Sequence, residues 1–234
     1  MYHMLAYWGA MFSPSVQAVF DIFKRLPVAL LLLLLPLLGA ILFLWLVRRA
    51  GLPGRVLYAT GSTGFAGMYA ELFLLLTLQV FYGYIYLQLS LLLAFFMAGT
   101  ATGGALSHKW LERGSRPLTL LRKTETALLF ALLALTLIPF LPFHQLGSAW
   151  TLIIFLVLSL LVGGLVGLTF PAAVQLQPAG AVYAADLMGG WLGGLCAVLF
   201  LVPLLGLRET AVAVMLVKAG SWLLLWRAEH LCKE

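Results

Sequence analysis

Four ionisable residues lie within or beside long apolar stretches of this sequence. Glu71 is the only charged residue in GFAGMYAELFLLLTLQVFYGYIY, residues 64–86, and Lys218, Asp186 and Glu125 lie within or beside later apolar stretches. A charge at the centre of a bilayer costs about 2.5–3.5 kcal/mol on insertion scales, so each residue is expected to face the interior of a helical bundle and to find a partner. The chemistry open to such residues is ion pairing, or the binding of a proton or a cation.

Glu71 and Lys218 are the residues expected to pair. With a rise of about 1.5 Å per residue, Glu71 lies about 15 Å and Lys218 about 13 Å from the outer ends of their predicted helices. Similar depth and opposite charge favour a structural ion pair. Two alternatives stay open: a neutral, desolvated Glu71 that hydrogen-bonds to Gln79 or a tyrosine, and a mid-membrane site for a proton or a cationic substrate.

Asp186 and Glu125 fall in the first turns of their predicted helices. A carboxylate in a first turn complements the positive end of the helix dipole and can cap free amides, so a structural role is expected for both. No cysteine or histidine spacing resembles a metal site, and the four histidines lie at predicted helix ends or loops. The sequence therefore predicts no metal and no cofactor.

The composition indicates a membrane protein. Of 234 residues, 63% are hydrophobic and 9% charged, whereas a soluble domain contains about 25% charged residues. The apolar runs are nearly continuous over about 20 residues, which suits helices rather than the alternating strands of a barrel. We expect an all-α integral membrane protein, a polytopic bundle of about seven transmembrane helices. The predicted helices are 27–47, 57–81, 84–106, 124–143, 149–171, 183–205 and 209–227.

The basic residues predict the orientation in the membrane. Ten lysines and arginines fall on one predicted side of the bundle and three on the other. Cytoplasmic loops carry the excess of such residues, which explains the net charge of +6 without a nucleic-acid partner. We expect a multi-pass protein of the bacterial inner membrane, with the loop between the third and fourth helices and the C-terminus in the cytoplasm.

The predicted organisation has three parts. Residues 1–26 form an N-terminal interfacial amphipathic segment, residues 27–227 the transmembrane bundle, and residues 228–234 a cytoplasmic tail. An additional span within the first 23 residues is the alternative for the N-terminal part.

Glycines recur in the predicted helices at spacings of three or four residues. Small residues at this spacing let helix backbones approach closely and gain van der Waals contact. Helices with such thin faces can also move against one another, as in transporters, which is the alternative interpretation. The residues expected to pack helices are Gly64, Gly67, Gly99, Gly103, Gly163, Gly167, Gly189 and Gly193.

Two stretches resemble a known family. They are TGSTGFAGMYAELFLLLTLQVFYGYIYLQLSLLLAFFMAGTATGG, residues 60–104, and VYAADLMGGWLGGLCAVLFLVPLLGL, residues 182–207. Both are similar to the membrane portion of bacterial proteins in which multispanning segments are fused to a spermidine synthase-like domain. The resemblance covers roughly residues 56–227 and implies a helical membrane domain associated with amine chemistry.

The resemblance does not extend to the synthase chemistry. An aminopropyltransferase needs a Rossmann-like domain with a glycine-rich loop after a strand, whereas the glycines here lie at or within predicted membrane helices. We therefore expect no enzymatic activity. The expected function is that of a non-catalytic membrane subunit that anchors or assembles with other protein subunits in the lipid bilayer. The alternative is a small transporter or channel-like protein for a cation such as a polyamine or a proton.

Overall fold

The computed structural model describes residues 51–82, 86–138 and 148–231. These residues are helical almost throughout and contain no strand, so the predicted all-α class is confirmed. A π-helical turn at Ala197–Leu201 lies within the fifth helix, just before Pro203, whose ring nitrogen carries no hydrogen to donate. The helices are α1 Gly51–Tyr82, α2 Tyr86–Glu112, α3 Pro117–Leu137, α4 Ser148–Val174, α5 Ala179–Leu205 and α6 Leu207–Leu231.

Five of these helices, all except α3, are long and apolar enough to cross a membrane. They are compatible with a multi-pass membrane protein. The first half of α3 carries Arg122, Lys123 and Glu125, which lower its apolar character. The predicted helix at 27–47 and the predicted segment at 1–26 lie outside the described residues, as do residues 232–234 of the tail. The count of about seven helices therefore stays a prediction.

Two helices begin well before their predicted starts. Arg116 is extended, with φ −69° and ψ 125°, and Pro117 opens α3, where its fixed φ and missing N–H suit the first turn. Likewise, α5 begins at Ala179 directly after Pro178. Glu125 is thus eight residues inside α3 and Asp186 seven residues inside α5. Their predicted placement in first turns is wrong, because both prolines start the helices earlier than the apolar runs suggest.

Seven of the eight predicted packing glycines lie where two pairs of helices cross, α1 with α5 and α2 with α4, and the eighth, Gly67, faces α4 from α1. A methyl group on Gly189 would overlap the Gly61 backbone, and one on Gly103 would overlap the Gly164 backbone. Such approach leaves no room for a Cβ atom. The other predicted packing glycines have these nearest neighbours: Gly64 Asp186, Gly67 Val166, Gly99 Leu160, Gly163 Phe96, Gly167 Thr100 and Gly193 Phe65.

The paired contacts, together with the short connections 113–116 and 175–178, give the directions of the helices. Residue numbers rise together along the α1–α5 contacts and along the α2–α4 contacts, so each of these pairs is parallel. Along α1 and α6 the numbers run oppositely, since Lys218 contacts Ser62 whereas the Tyr69 hydroxyl donates to the Leu207 carbonyl at 2.6 Å. Helix α6 also packs on α3, and α3 packs on α4. Helix α1 is the most buried of the five candidate spans and borders the polar cluster described next.

Candidate functional site: a buried lysine–glutamate cluster

The strongest candidate site is an ion pair inside the bundle. The Lys218 ammonium donates a hydrogen bond to Glu125 Oε1, and both side chains are 0% exposed. Lys218 lies near the middle of the candidate span Leu207–Arg227, and Glu125 lies eight residues inside α3. The pair therefore joins α6 to α3 near the middle of an apolar helix, and charged residues at such a position in a membrane-spanning helix are rare and tend to be functional.

Two hydroxyl groups of α1 complete the surroundings of the lysine. Lys218 Nζ also donates to Thr63 Oγ1 at 2.7 Å and to Ser62 Oγ at 3.3 Å. An ammonium carries three hydrogens, so these two oxygens and the carboxylate provide an acceptor for each of them. The Thr63 hydroxyl lies 2.9 Å from the Ala59 carbonyl and 3.1 Å from Glu125 Oε1, so it can donate to either.

The carboxylate side of the cluster is less fully bonded. Glu125 Oε2 is buried and accepts no hydrogen bond. Asp186 of α5 is half-buried and lies against Gly64, the residue that follows Thr63, so it approaches α1 at the same level as Lys218. The cluster thus contains one lysine and two carboxylates, a net formal charge of −1. In a low-dielectric interior an unbalanced charge is costly.

A cavity of about 500 Å³ lies beside the cluster, between α3 and α6. Trp222 Nε1 donates to Thr126 Oγ1 at 2.8 Å, one residue from Glu125 and four from Lys218, so this contact lies next to the ion pair. Both residues also line the cavity. The full lining is Arg122, Lys123, Thr126, Ala127, Phe130, Trp222 and Trp226.

The predicted Glu71–Lys218 pair is wrong, because the partner of Lys218 is Glu125. Helix α1 has 32 residues, a length of about 48 Å, which exceeds the bilayer core of about 30 Å. Depths counted from its end therefore misplace its residues relative to α6. The α6 residue opposite Tyr69 is Leu207, so Glu71 lies near the start of α6, far from Lys218.

Glu71 and Gln79 remain apart from the cluster. Glu71 is 6% exposed, and its Oε1 accepts no hydrogen bond. Gln79 lies eight residues further along α1, a rise of about 12 Å, which is too far for a direct hydrogen bond to Glu71. The structure therefore does not bring these two predicted site residues together with Lys218.

Sequence reasoning missed the hydroxyl residues of the site. Ser62 and Thr63 belong to the TGSTGFAG stretch, in which the pattern of glycines predicts helix packing but no role for the hydroxyl groups. The signal in the sequence was the pair of hydroxyl residues beside a packing glycine, because such residues can accept hydrogen bonds from a buried lysine such as Lys218. The Arg116–Pro117 helix start was a second signal, because it moves Glu125 from a helix end into the interior.

Comparisons with protein families, with curated proteins and with solved structures give no match for this chain. The resemblance to the membrane portion of spermidine synthase-like proteins is therefore untested and stays a prediction. Among the residues that the structure describes, no group of three or more histidine, cysteine, aspartate or glutamate side chains could hold a metal ion. The chemistry of the candidate site thus rests on Lys218, the two carboxylates and the two hydroxyl groups.

Proposed function

We propose that the chain is a small integral membrane transport protein that carries a proton or another small monovalent cation. The observation that carries the proposal is the buried Lys218–Glu125 pair, which lies near the middle of the candidate span Leu207–Arg227 and, together with the half-buried Asp186, has a net formal charge of −1. One proton or one monovalent cation would neutralise it. Ionisable groups placed in this way mark proton and ion pathways in membrane proteins.

The proton is the ligand that this geometry favours. Lys218 and Glu125 are 0% exposed, so a polyamine chain cannot reach their charged atoms in the described structure. A proton needs only a free carboxylate oxygen, and Glu125 Oε2 is buried without a hydrogen-bond partner. The lysine already has three acceptors, so an added proton belongs on Glu125 or Asp186.

The charges at the helix ends support the proposed orientation. Helices α1, α3 and α5 begin at one end of the bundle, where α2, α4 and α6 finish. Excess basic residues mark the cytoplasmic side, so we place this end in the cytoplasm of a bacterial inner membrane. The basic residues in the nearer halves of the helices and in the connection 113–116 at this end are Arg55, Lys109, Arg113, Arg116, Arg122, Lys123 and Arg227, while Arg208 lies at the other end.

Flux measurements in liposomes test the proposal. Purified protein is reconstituted in liposomes that contain a pH-sensitive dye, and an imposed potential drives proton entry. We expect proton flux above that of empty liposomes, and no comparable uptake of spermidine. The absence of flux for protons, sodium and potassium alike, with correctly folded protein, would contradict the transport function.

A membrane subunit is the second candidate function, and Trp191 favours it. This side chain is 60% exposed at the middle of α5, twelve residues from Ala179. Tryptophan prefers the membrane–water interface to the hydrocarbon centre, so an outward indole at this depth suits contact with another helix. The resemblance to membrane portions of multidomain proteins supports the same proposal.

Association in mild detergent tests the subunit function. We expect the full chain to migrate as a complex with copies of itself or with other chains, and Trp191→Leu to weaken that complex. Trp150→Leu is the matched control, because Trp150 is 65% exposed at the beginning of α4, where an interfacial tryptophan is ordinary. A strictly monomeric wild-type chain in native mass spectrometry would exclude this function.

A further inference from the structure

The six described helices fall into two consecutive units of opposite direction. Helices α1, α2 and α3 run up, down and up through the bundle, whereas α4, α5 and α6 run down, up and down. The pattern of packing is the same in both units. The α1–α5 crossing corresponds to the α4–α2 crossing, and the α1–α6 contact corresponds to the α4–α3 contact. When α1, α2 and α3 are matched with α4, α5 and α6, the α1–α4 contact and the α3–α6 contact are each mapped onto themselves.

The correspondence holds for individual residues at the two glycine crossings. Adding 99 to a residue number on α1 and subtracting 90 on α5 converts contacts of the first crossing into contacts of the second. The pairs 61–189, 64–186 and 65–193 become 160–99, 163–96 and 164–103, and all six are observed close contacts. Two units of opposite direction with matching contacts are related by a pseudo-two-fold axis in the membrane plane, as in inverted-repeat transporters.

The two units differ beside α3 and α6. Ser62 and Thr63 contact Lys218 and are buried on α1. Their equivalents on α4 are Leu161 and Val162, which line an apolar groove of about 510 Å³ between α2, α3 and α4. Ser62 is 6% exposed, whereas Leu161 is 57% exposed. Thr63 and Val162 are both buried, so the difference lies at Ser62, which is covered beside the lysine, and at Leu161, which is open to the groove.

We infer that the six described helices form an inverted repeat and that its two units exchange their packing arrangements. When the groove between α2, α3 and α4 closes, an equivalent groove opens beside Ser62, Thr63 and Lys218. In the described state α6 seals the ion pair against α1. In the exchanged state α3, which already contacts α4, moves over Leu161 and closes the groove, and the cluster becomes accessible between α5, α6 and α1. The inverted repeat does not depend on the proposed transport function. Only the statement that the exchange gives a transported cation access to the site rests on that function.

The glycine crossings suit this motion. They hold α1 to α5 and α2 to α4 by direct backbone contact, which leaves no room for either pair to close further. The contacts of α3 and α6 with their neighbours are made by side chains instead, including those of Lys218, Trp222 and Thr126. The α3–α6 pair lies on the pseudo-two-fold axis and is the element that can shift between the two glycine-crossed pairs.

Cysteine labelling tests the exchange directly. Ser62→Cys and Leu161→Cys are introduced separately into a chain that carries Cys196→Ala and Cys232→Ala, and each is labelled in liposomes with a membrane-permeant maleimide. Ala134 is exposed and lines the groove, so Ala134→Phe acts as a wedge that keeps it open. Leu133→Phe is the matched control, because Leu133 is 45% exposed on α3 but does not line the groove.

We expect Ser62→Cys to label measurably, more slowly than Leu161→Cys. The wedge should slow Ser62→Cys labelling about tenfold, which corresponds to about 1.4 kcal/mol between the two states, and the control should leave it unchanged. No labelling of Ser62→Cys in the folded chain, or labelling that the wedge does not slow, would overturn the inference.

Labelling and flux separate this inference from the proposed function. If Ala134→Phe slows the labelling of Ser62→Cys but the protein shows no proton flux, the exchange is supported and the transport function is contradicted. If the protein shows proton flux but Ala134→Phe does not change the labelling, the transport function is supported and the exchange is contradicted.

Discussion

Removing one member of the Lys218–Glu125 pair should destabilise the bundle far more than removing both. Each side chain is 0% exposed, so Lys218→Met leaves a buried carboxylate without its cation, and Glu125→Gln leaves a buried ammonium without its anion. Breaking a buried ion pair in this way costs about 3–5 kcal/mol, whereas replacing both partners by neutral groups is often close to neutral. We therefore expect each single variant to lose about 3–5 kcal/mol and the double variant to lose less than either.

The assay is a double-mutant cycle on the free energy of unfolding, measured by detergent-induced denaturation of the purified chain in mixed micelles. Lys123→Met is the matched control, because Lys123 is an exposed lysine of α3, and its loss should change the free energy of unfolding by no more than about 0.5 kcal/mol. The reasoning would be refuted if the loss of the double variant equals the sum of the two single losses within about 0.5 kcal/mol, because independent sites behave in that way.

Three further predictions concern the same measurement. Gly103→Ala should destabilise the protein by about 1–3 kcal/mol, because its Cβ would overlap the Gly164 backbone. Gly104→Ala should be tolerated, because its Cβ would lie 3.7 Å from its nearest neighbour. Equal losses of stability in the two variants would contradict the glycine crossing. Thr63→Val should cost about 1.5–3 kcal/mol, because it removes a hydrogen bond to a charged group, and an unchanged free energy would argue against this contact. Trp222→Phe should lower the free energy of unfolding by about 0.5–1.5 kcal/mol, because it removes the hydrogen bond from Trp222 to Thr126. The same substitution should not cost this amount in a chain that already carries Thr126→Val, in which the bond is absent.

The helical class and the packing role of glycine could be predicted from the sequence because both follow from local composition. Near-continuous apolar runs require helices in lipid, and glycines at spacings of three or four residues produce a thin helix face. At Gly189 and Gly103 the structure shows backbone approach of the expected kind. These features depend on neighbours within one helix, so the sequence contains them.

The pairing of the charges could not be predicted in the same way, because it depends on how helices shift along one another. Glu71 and Lys218 match in depth when each is counted from its helix end, but α1 extends well beyond the level at which α6 begins. The apolar pattern predicts Glu125 in a first turn, although the Arg116–Pro117 sequence signals an earlier start of the helix. Only the three-dimensional packing brings α3 and α6 together.

The inverted repeat had a weak signal in the sequence. GTATGG at 99–104 and GGWLGG at 189–194 share glycines at the first, fifth and sixth positions. The flanking residues differ, since lipid-facing and packed positions accept many apolar side chains. The structure reveals the repeat through its contacts, which depend on geometry more than on side-chain identity.

The measurement that tests the account most directly is proton flux through the Glu125→Gln variant, compared with the wild-type chain in the same liposomes. Glu112→Gln is the matched control, because Glu112 is an exposed carboxylate at the end of α2. We expect Glu125→Gln to abolish the flux, since its amide cannot carry the proton at mid-membrane, and we expect Glu112→Gln to keep it. A Glu125→Gln protein that folds and conducts protons as the wild-type chain does would contradict the central claim.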